Sequence, residues 1–350
     1  MTDLGPGNSG KGSIVHALNH RVKPDIIMKR GGAQGSHTVY LRGGRVFNFT
    51  QWGCGTFEGT HTYLTPQMVI SPVELASEAA VLKDYGVLAP YELLTCDAGC
   101  LVVTSYHRLA SEIEEYLLCG RPCGVAGSGV GRAYRMQTTH PELCIYAKDL
   151  RSRDRVKQLL TAQADYYRER YRNVGAGSVL PGDIGLLRSA RDFLYSDRYL
   201  DSLVEQFVNV GGKLRLCSLK SVLAKHQTAI LECSYGVLTD SVTGLSPSDL
   251  AIRTLPIISV QMLEETGFTG DIAHLAVHRA SELNRTRINH ALSSCSDIEW
   301  HGLCLTHLDQ IGSVVGAYER AKSIAERYFH MPLAVVSFGP ALRDKIFTLF

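Results

Sequence analysis

Residues Gly5–Ser13 read Gly-Pro-Gly-Asn-Ser-Gly-Lys-Gly-Ser and run straight into Ile14, Val15, Ala17 and Leu18, spaced as one face of a helix. A glycine loop that opens a helix constrains the fold strongly. Its backbone can approach phosphate oxygens, the helix start supplies unpaired N–H groups, and Lys11 adds a point charge. The pattern nearly matches G-x-x-x-x-G-K-[ST], with Gly12 where Ser or Thr would meet Mg²⁺ and only the stub Thr2-Asp-Leu before the loop. The plain alternative is a glycine turn with an incidental lysine. The phosphate reading is favoured because an α/β pattern follows.

That pattern is carried by the 33 glycines, which cluster at 5–12, 31–35, 43–44, 124–131 and 211–212 with helical and strand-like segments between them. Alternation of this kind predicts an α/β protein. Ile26-Ile-Met28 is a strand-length apolar run, and Thr38–Leu41 and Arg45–Phe49 flank Gly43-Gly44 as a hairpin. Ser71, Pro72 and Glu74 form a helix-start signature, and Gly86 closes that helix. Further helices are expected at about 106–119, 152–172, 197–210 and 313–329, and buried strands near 229–232, 255–260 and 333–337. No linker, repeat or low-complexity stretch appears. The expectation is a single large domain over 1–350, with a central mostly parallel sheet flanked by helices and a more helical subregion at about 90–210.

Composition narrows function by exclusion. The 36 basic and 34 acidic residues give a formal net charge of +2, unlike the strongly basic profile of a nucleic-acid binder. No run of 18 or more apolar residues suits a membrane span, and the start has no secretory pattern, so a soluble cytoplasmic protein is expected. Ten cysteines without a secretory signal are expected to be reduced. The spacing Cys96-x3-Cys100…Cys119-x3-Cys123 could hold zinc, but buried thiols are the preferred reading. The basic helix at 151–172 has acidic residues interleaved and reads as a solvated face.

Three other segments could carry chemistry. Lys29–Thr38, Lys-Arg-Gly-Gly-Ala-Gln-Gly-Ser-His-Thr, is a flexible loop able to present His37 to a ligand, although a lone histidine is more often structural. Cys123–Arg132 is a second glycine-rich loop. Thr306-His307-Leu308-Asp309 follows an apolar run, where a carboxylate could accept both N1–H and the 2-amino group of guanine.

In order, these segments resemble the adenylosuccinate synthetase family. Its Gly-Asp-Glu-Gly-Lys-Gly loop falls on Gly7–Gly12, its Gly-Gly-x-Asn-Ala-Gly-His-Thr loop on Gly31–Thr38, and its Thr-Thr-Gly-Arg-Gly block within Cys123–Tyr134. Glu232–Asp240 is similar to Glu-Gly-Ala-Gln-Gly-x-x-Leu-Asp, Thr306–Asp309 to Thr-Lys-Leu-Asp, and Ser337-Phe-Gly-Pro340 to the closing Ser-x-Gly-Pro. The resemblance implies a ligase. A base removes the N1 proton of a 6-oxopurine nucleotide, the C6 oxygen attacks the γ-phosphate of GTP, and the amine of L-aspartate displaces that phosphate.

The resemblance assigns His37 as the acid and Lys11 as the phosphate lysine. Gly7, Ser9, Gly10, Gly12, Ser13, Ser36 and Thr38 would surround the triphosphate, and His307, Asp309, Ser337, Gly339 and Pro340 the guanine. Gln34, Val125, Ala126, Tyr235, Arg285 and Arg287 would contact purine nucleotide or aspartate, the two arginines by the spacing of the family's aspartate loop. Mg²⁺ would sit at Asn8 and Ser36, and family members form homodimers. Departures concentrate where chemistry would occur. Asn8 replaces the catalytic and metal-binding aspartate and cannot accept a proton at neutral pH. Ser36 replaces a glycine, Gln34 an asparagine, Val125-Ala126 a Thr-Thr pair, Tyr235 a glutamine and His307 a lysine. The arginine lent by a neighbouring subunit has no counterpart near Leu143. Viral relatives acting on dGMP also lack the aspartate. The implied readings are a ligase for IMP or dGMP using GTP, ATP or dATP, and an inactive nucleotide-binding homologue.

Overall fold

The computed structural model describes residues 1–119, 127–172, 192–245, 252–311 and 313–349. Among these, two sheets run side by side. The first has the order β1 (Thr2–Asp3), β10 (His274–Arg279), β11 (Trp300–Thr306), β12 (Leu333–Ser337) and β13 (Lys345–Phe347). All its pairings are parallel except β12 with β13. The second has the order β8 (Arg215–Leu216), β6 (Leu94–Cys96), β5 (His61–Ile70), β2 (Ile26–Gly32) and β9 (Ala229–Cys233), with β7 (Leu101–Val102) also on β5, and is entirely parallel. A parallel bridge between Asp3 and Gly236 links the two at their seam. The mostly parallel α/β architecture is thus as the glycine alternation predicts.

Parallel strands covered on both faces lack alternation. Every residue of β2, Ile-Ile-Met-Lys-Arg-Gly-Gly, is buried, lysine and arginine included. Helices α1 (Lys11–Val22), α2 (Pro72–Asp84), α3 (Ser105–Cys119), α4 (Val130–Thr139), α5 (Arg153–Arg170), α6 (Asp197–Lys213) and α7 (Leu219–Leu223) come between or after these strands. Ser71 caps α2, its hydroxyl accepting from Glu74 N. β3 (His37–Tyr40) and β4 (Val46–Phe49) form the expected antiparallel hairpin. On α5 the basic residues are paired: Arg153 with Glu205, Lys157 with Asp201 and Arg170 with Glu114.

One expected strand is a helix. Residues 255–260 lead into α8 (Pro256–Glu264), with Pro256 at its first position. A short apolar run fits either element, and proline suits a helix start because its missing N–H has no partner there. Helices α9 (Arg285–Ser293) and α10 (Val314–Ile324) flank the first sheet's strands in the chain, and α10 continues as a π-helical turn, Ala325–Phe329. Cys96 and Cys100 are buried and donate to the carbonyls of Asp97 and Thr65, as thiols in a core do. Cys123 lies outside the described residues. No described helix is long and apolar enough to cross a membrane.

Candidate active site

Because β1, β2, β9, β10, β11 and β12 are parallel, the loops that follow them emerge at one sheet edge, the usual ligand edge of an open α/β sheet. The loop after β1 is built on Asp3. This buried carboxylate accepts from Gly5 N at 2.7 Å, Ser9 N at 2.9 Å and Ser9 Oγ at 2.8 Å. Lys11 Nζ lies 3.1 Å from Asp3 Oδ2 and also donates to Gly7 O at 3.0 Å. Burial opposes ionisation of Asp3, but Lys11 and the Ser9 and Gly5 donors outweigh it and hold the carboxyl below its ordinary value. The loop is therefore ordered from beneath, with Lys11 drawn back along it. Ser13 Oγ donates to Gly10 O at 3.0 Å, which ties the first turn of α1 to the same loop.

Two glycines are fixed by contact. Gly7 has φ +113°, and a Cβ there would lie 2.8 Å from Tyr235 Cα. Gly12 has no such strain, but its Cβ would lie 2.8 Å from the His37 carbonyl carbon and 2.9 Å from His37 Cβ. The missing hydroxyl at position 12 thus has a steric cause: α1 begins against the backbone of His37.

His37 is one of four buried groups joined around the paired strands β2 and β9. Its Nδ1 donates to Glu232 Oε1 in a very short contact. Lys29 Nζ lies 3.2 Å from that oxygen and donates to Trp52 O at 2.9 Å, while Cys54 N donates to Glu232 Oε2 at 3.0 Å. Cys54 Sγ lies 3.4 Å from Glu232 Oε1. Burial works against the Glu232 charge, but Lys29, His37 and the Cys54 N–H together hold its carboxyl far below the usual range. Burial lowers His37 and Glu232 pulls it back up, yet Lys29 and Lys11 add to the lowering, and the net direction is down. Glu232 thereby fixes the tautomer with hydrogen on Nδ1, and Nε2 makes no hydrogen bond among the described residues.

Histidine, cysteine and glutamate together suggest a metal site, and their ligand atoms lie within 4.8 Å of one another. The Lys29 ammonium on the same carboxylate argues for a proton-holding network instead. The expected Mg²⁺ residues, Asn8 and Ser36, are both exposed and offer neutral oxygens only. Mg²⁺ is ordinarily held by one or two carboxylates plus phosphates. Asp3 is already engaged by four donors and Glu232 faces His37, so these residues do not fit a protein-held Mg²⁺.

The end of β11 closes the other side. Thr306 Oγ1 donates to Ser9 O at 2.8 Å, and His307, with φ +58°, carries its ring close to Gly10. Asp309 is exposed on the turn Leu308–Ile311. Burial lowers the His307 imidazole, as do Arg279 and Lys345, against the pull of Asp309. Ser337 Oγ and Lys345 Nζ both donate to Gly339 O, at 2.9 and 2.6 Å. Burial brings Lys345 down to about 8.

The structure gathers most of the expected residues. Gln34 lies within the loop after β2, its amide close over Gly32, and Tyr235 backs onto Gly7. Thr38 spends its hydroxyl on Asn48 across the hairpin. Pro340 is exposed beside Gly339. Arg285 and Arg287 line different cavities. Arg287 borders a cavity of about 280 Å³ with Gly5, Pro6 and His278, whereas Arg285 borders a different groove. Residues two apart on a helix are separated by about 200°. Val125 and Ala126 fall outside the described residues. Sequence reasoning missed Asp3, Lys29, Cys54, Glu232 and Lys345, although Lys29 and Glu232 stand inside the aligned segments.

A sequence profile described as adenylosuccinate synthetase matches residues 5–250. This chain belongs to the adenylosuccinate synthetase family. It is 24% identical over 254 residues to adenylosuccinate synthetase of Francisella philomiragia, covering 69% of this chain and 53% of that one. The Francisella tularensis enzyme is 26% identical over 170 residues, 47% of this chain and 39% of the relative. The chain spans about half the length, or less, of these curated relatives. Among solved structures, fully ligated adenylosuccinate synthetase from Plasmodium falciparum superposes with a TM-score of 0.78 at 14% identity, covering 99% and 98% of the two chains. Succinoaminodeoxyadenylate synthetase of cyanophage S-2L, bound to dGMP and dATP, gives 0.61 at 15% identity, covering 99% and 94%. At such identities the superpositions establish the fold of this synthetase-family chain.

Proposed function

We propose that this chain is a cytoplasmic, homodimeric ligase that joins L-aspartate to a 6-oxopurine nucleotide, IMP or dGMP, with GTP, ATP or dATP as phosphoryl donor. The observation that carries the reading is the placement of His37. Its Nδ1 is held by Glu232, its backbone and Cβ lie against the start of α1, and Lys11 is near enough to affect its charge. A phosphoryl group bound over the glycine loop brings negative charge to both. That charge draws Lys11 away from Asp3 and favours the imidazolium, whose Nε2–H then stabilises the transferring group. Loop N–H groups and Lys11 orient the phosphates. His307 and Asp309 face the base of the donor, and Arg287 in the cavity beside Gly5 and Pro6 meets a carboxylate of aspartate.

The missing element is a base at position 8. Asp3 and Glu232 do not take its place, since both are fully engaged. In this reading the N1 proton leaves to water and the rate is correspondingly lower. Loss of the carboxylate also leaves space and removes negative charge near the purine edge. That suits a 2-amino purine, and the cyanophage relative is bound to dGMP and dATP. Family members are magnesium-dependent, and Mg²⁺ would reach this site with the triphosphate rather than on protein carboxylates. The same observation at Asn8 supports the competing reading, a nucleotide-binding homologue without turnover.

The deciding experiment measures phosphate release with Mg²⁺ and L-aspartate, crossing IMP, GMP, dGMP and dIMP with GTP, ATP and dATP. Aspartate-dependent release that falls about 10²-fold in His37→Ala supports the ligase. Absence of release in every pairing, with nucleotides still raising the melting temperature, establishes the inactive homologue.

A further inference from the structure

The groove beside Arg285 has no place in the reaction above. It has a volume of about 390 Å³ and lies between α9 and the end of α10. Arg285, Arg327 and His330 line it, with Asn289 and Ser323 as neutral hydrogen-bonding groups. No carboxylate lines it. The exposed arginines of α5 have acidic partners: Arg153 with Glu205 and Arg170 with Glu114. Arg285 and Arg327 have no ion pair among the described residues. Two exposed guanidinium groups thus line one cavity that has no carboxylate in its lining, and an anion entering it meets positive charge alone.

The backbone presents these groups deliberately. Where α10 widens into the π-helical turn, Ala325 and Phe329 go to the core while Arg327 and Tyr328 stay outside, and His330 ends the turn with φ +52°. Such one-turn widenings occur frequently at functional sites. Tyr328 is 47% exposed at the groove, a flat apolar face beside the two guanidinium groups. Buried Ile288 forms an apolar floor.

We propose that this groove is a second nucleotide site, separate from the phosphate loop, that takes a nucleoside monophosphate. Arg285 and Arg327 hold the phosphate as paired forks, and the base stacks on Tyr328. The volume falls in the range of small-molecule sites and exceeds what a lone phosphate or a small dicarboxylate fills.

Photolabelling with 8-azido-GMP on the whole chain tests this, with the labelled peptides identified by mass spectrometry. The expected result is label on the peptide containing Tyr328, in the native protein and equally in Lys11→Ala, which disables the phosphate loop. The double variant R285A/R327A should reduce that label about tenfold or more while labelling near the phosphate loop persists. Unlabelled GMP should displace it far better than inorganic phosphate, guanosine or L-aspartate. The proposal is overturned if the Tyr328 peptide is never labelled, if its label survives the double variant, or if any of those three competitors matches GMP.

Discussion

His37 Nδ1 donates directly to Glu232 Oε1 across 195 residues of sequence, and the same oxygen meets the ammonium of Lys29. The acid of the proposed reaction is therefore held by a carboxylate that cannot turn away without stranding a buried lysine. Glu232→Gln keeps the shape of the contact and removes its charge. Steady-state kinetics should show kcat reduced about 10²-fold with KM nearly unchanged. Glu232→Ala should also destabilise the fold by about 3–5 kcal/mol, because Lys29 is left buried and unpaired, and a denaturant titration reads this directly.

Asp3 and Glu232 both have carboxyl groups held below the ordinary range, so the folded chain keeps them ionised where the unfolded chain takes up protons. Their contribution is complete above the ordinary carboxylate pKa and is lost as pH falls through and below it. The urea midpoint should drop between pH 6 and pH 3.5. Asp3→Asn should make that drop shallower, and an unchanged slope would remove Asp3 from the account.

Lys345 gives a slope of the same sign in an alkaline window. Burial lowers its ammonium to about 8, so above that pH the folded chain has shed a proton that the unfolded chain retains up to the usual lysine range. Stability from this group increases as pH rises from 8 towards 10. Lys345→Met should raise the melting temperature at pH 7 and flatten the trend in that window.

Gly12→Ala places a methyl group 2.8–2.9 Å from His37. The nearest atoms are backbone and Cβ, which cannot swing aside, so a cost of about 1–3 kcal/mol is expected. Displacement of the imidazole should lower turnover more than the stability loss explains. Equal activity per folded molecule would contradict this.

Asn8→Asp restores a carboxylate at the exposed position where the family has its base. Activity towards IMP should increase, measured as aspartate-dependent phosphate release. No gain would mean that position 8 is not beside the purine.

Local signals in the sequence were legible where short-range chemistry decides. Ser71, Pro72 and Glu74 start α2, and Gly43-Gly44 turn the hairpin. The run at 255–260 misled because apolar residues alone do not choose between strand and helix, and Pro256 decided for helix. The larger omission was register. Lys29 and Glu232 are directly opposed in the parallel pairing of β2 with β9. Nothing near either residue announces the other, and only the long-range alignment brings the lysine, carboxylate and imidazole together. Asp3 reads as part of a stub because two of its four donors are backbone N–H groups of the following loop, which any sequence offers. Arg285 and Arg287 share a spacing with the family, and on α9 they line different cavities.

The bond from Thr306 Oγ1 to Ser9 O joins the end of β11 to the phosphate loop, and the His307 ring closes over Gly10. The span from Lys11 to Asp309 is consequently set by the scaffold, like the jaws of a fixed gauge. In the proposed reaction, a donor held at both ends would have to match that span, so selection would rest on reach as well as on contacts to the base.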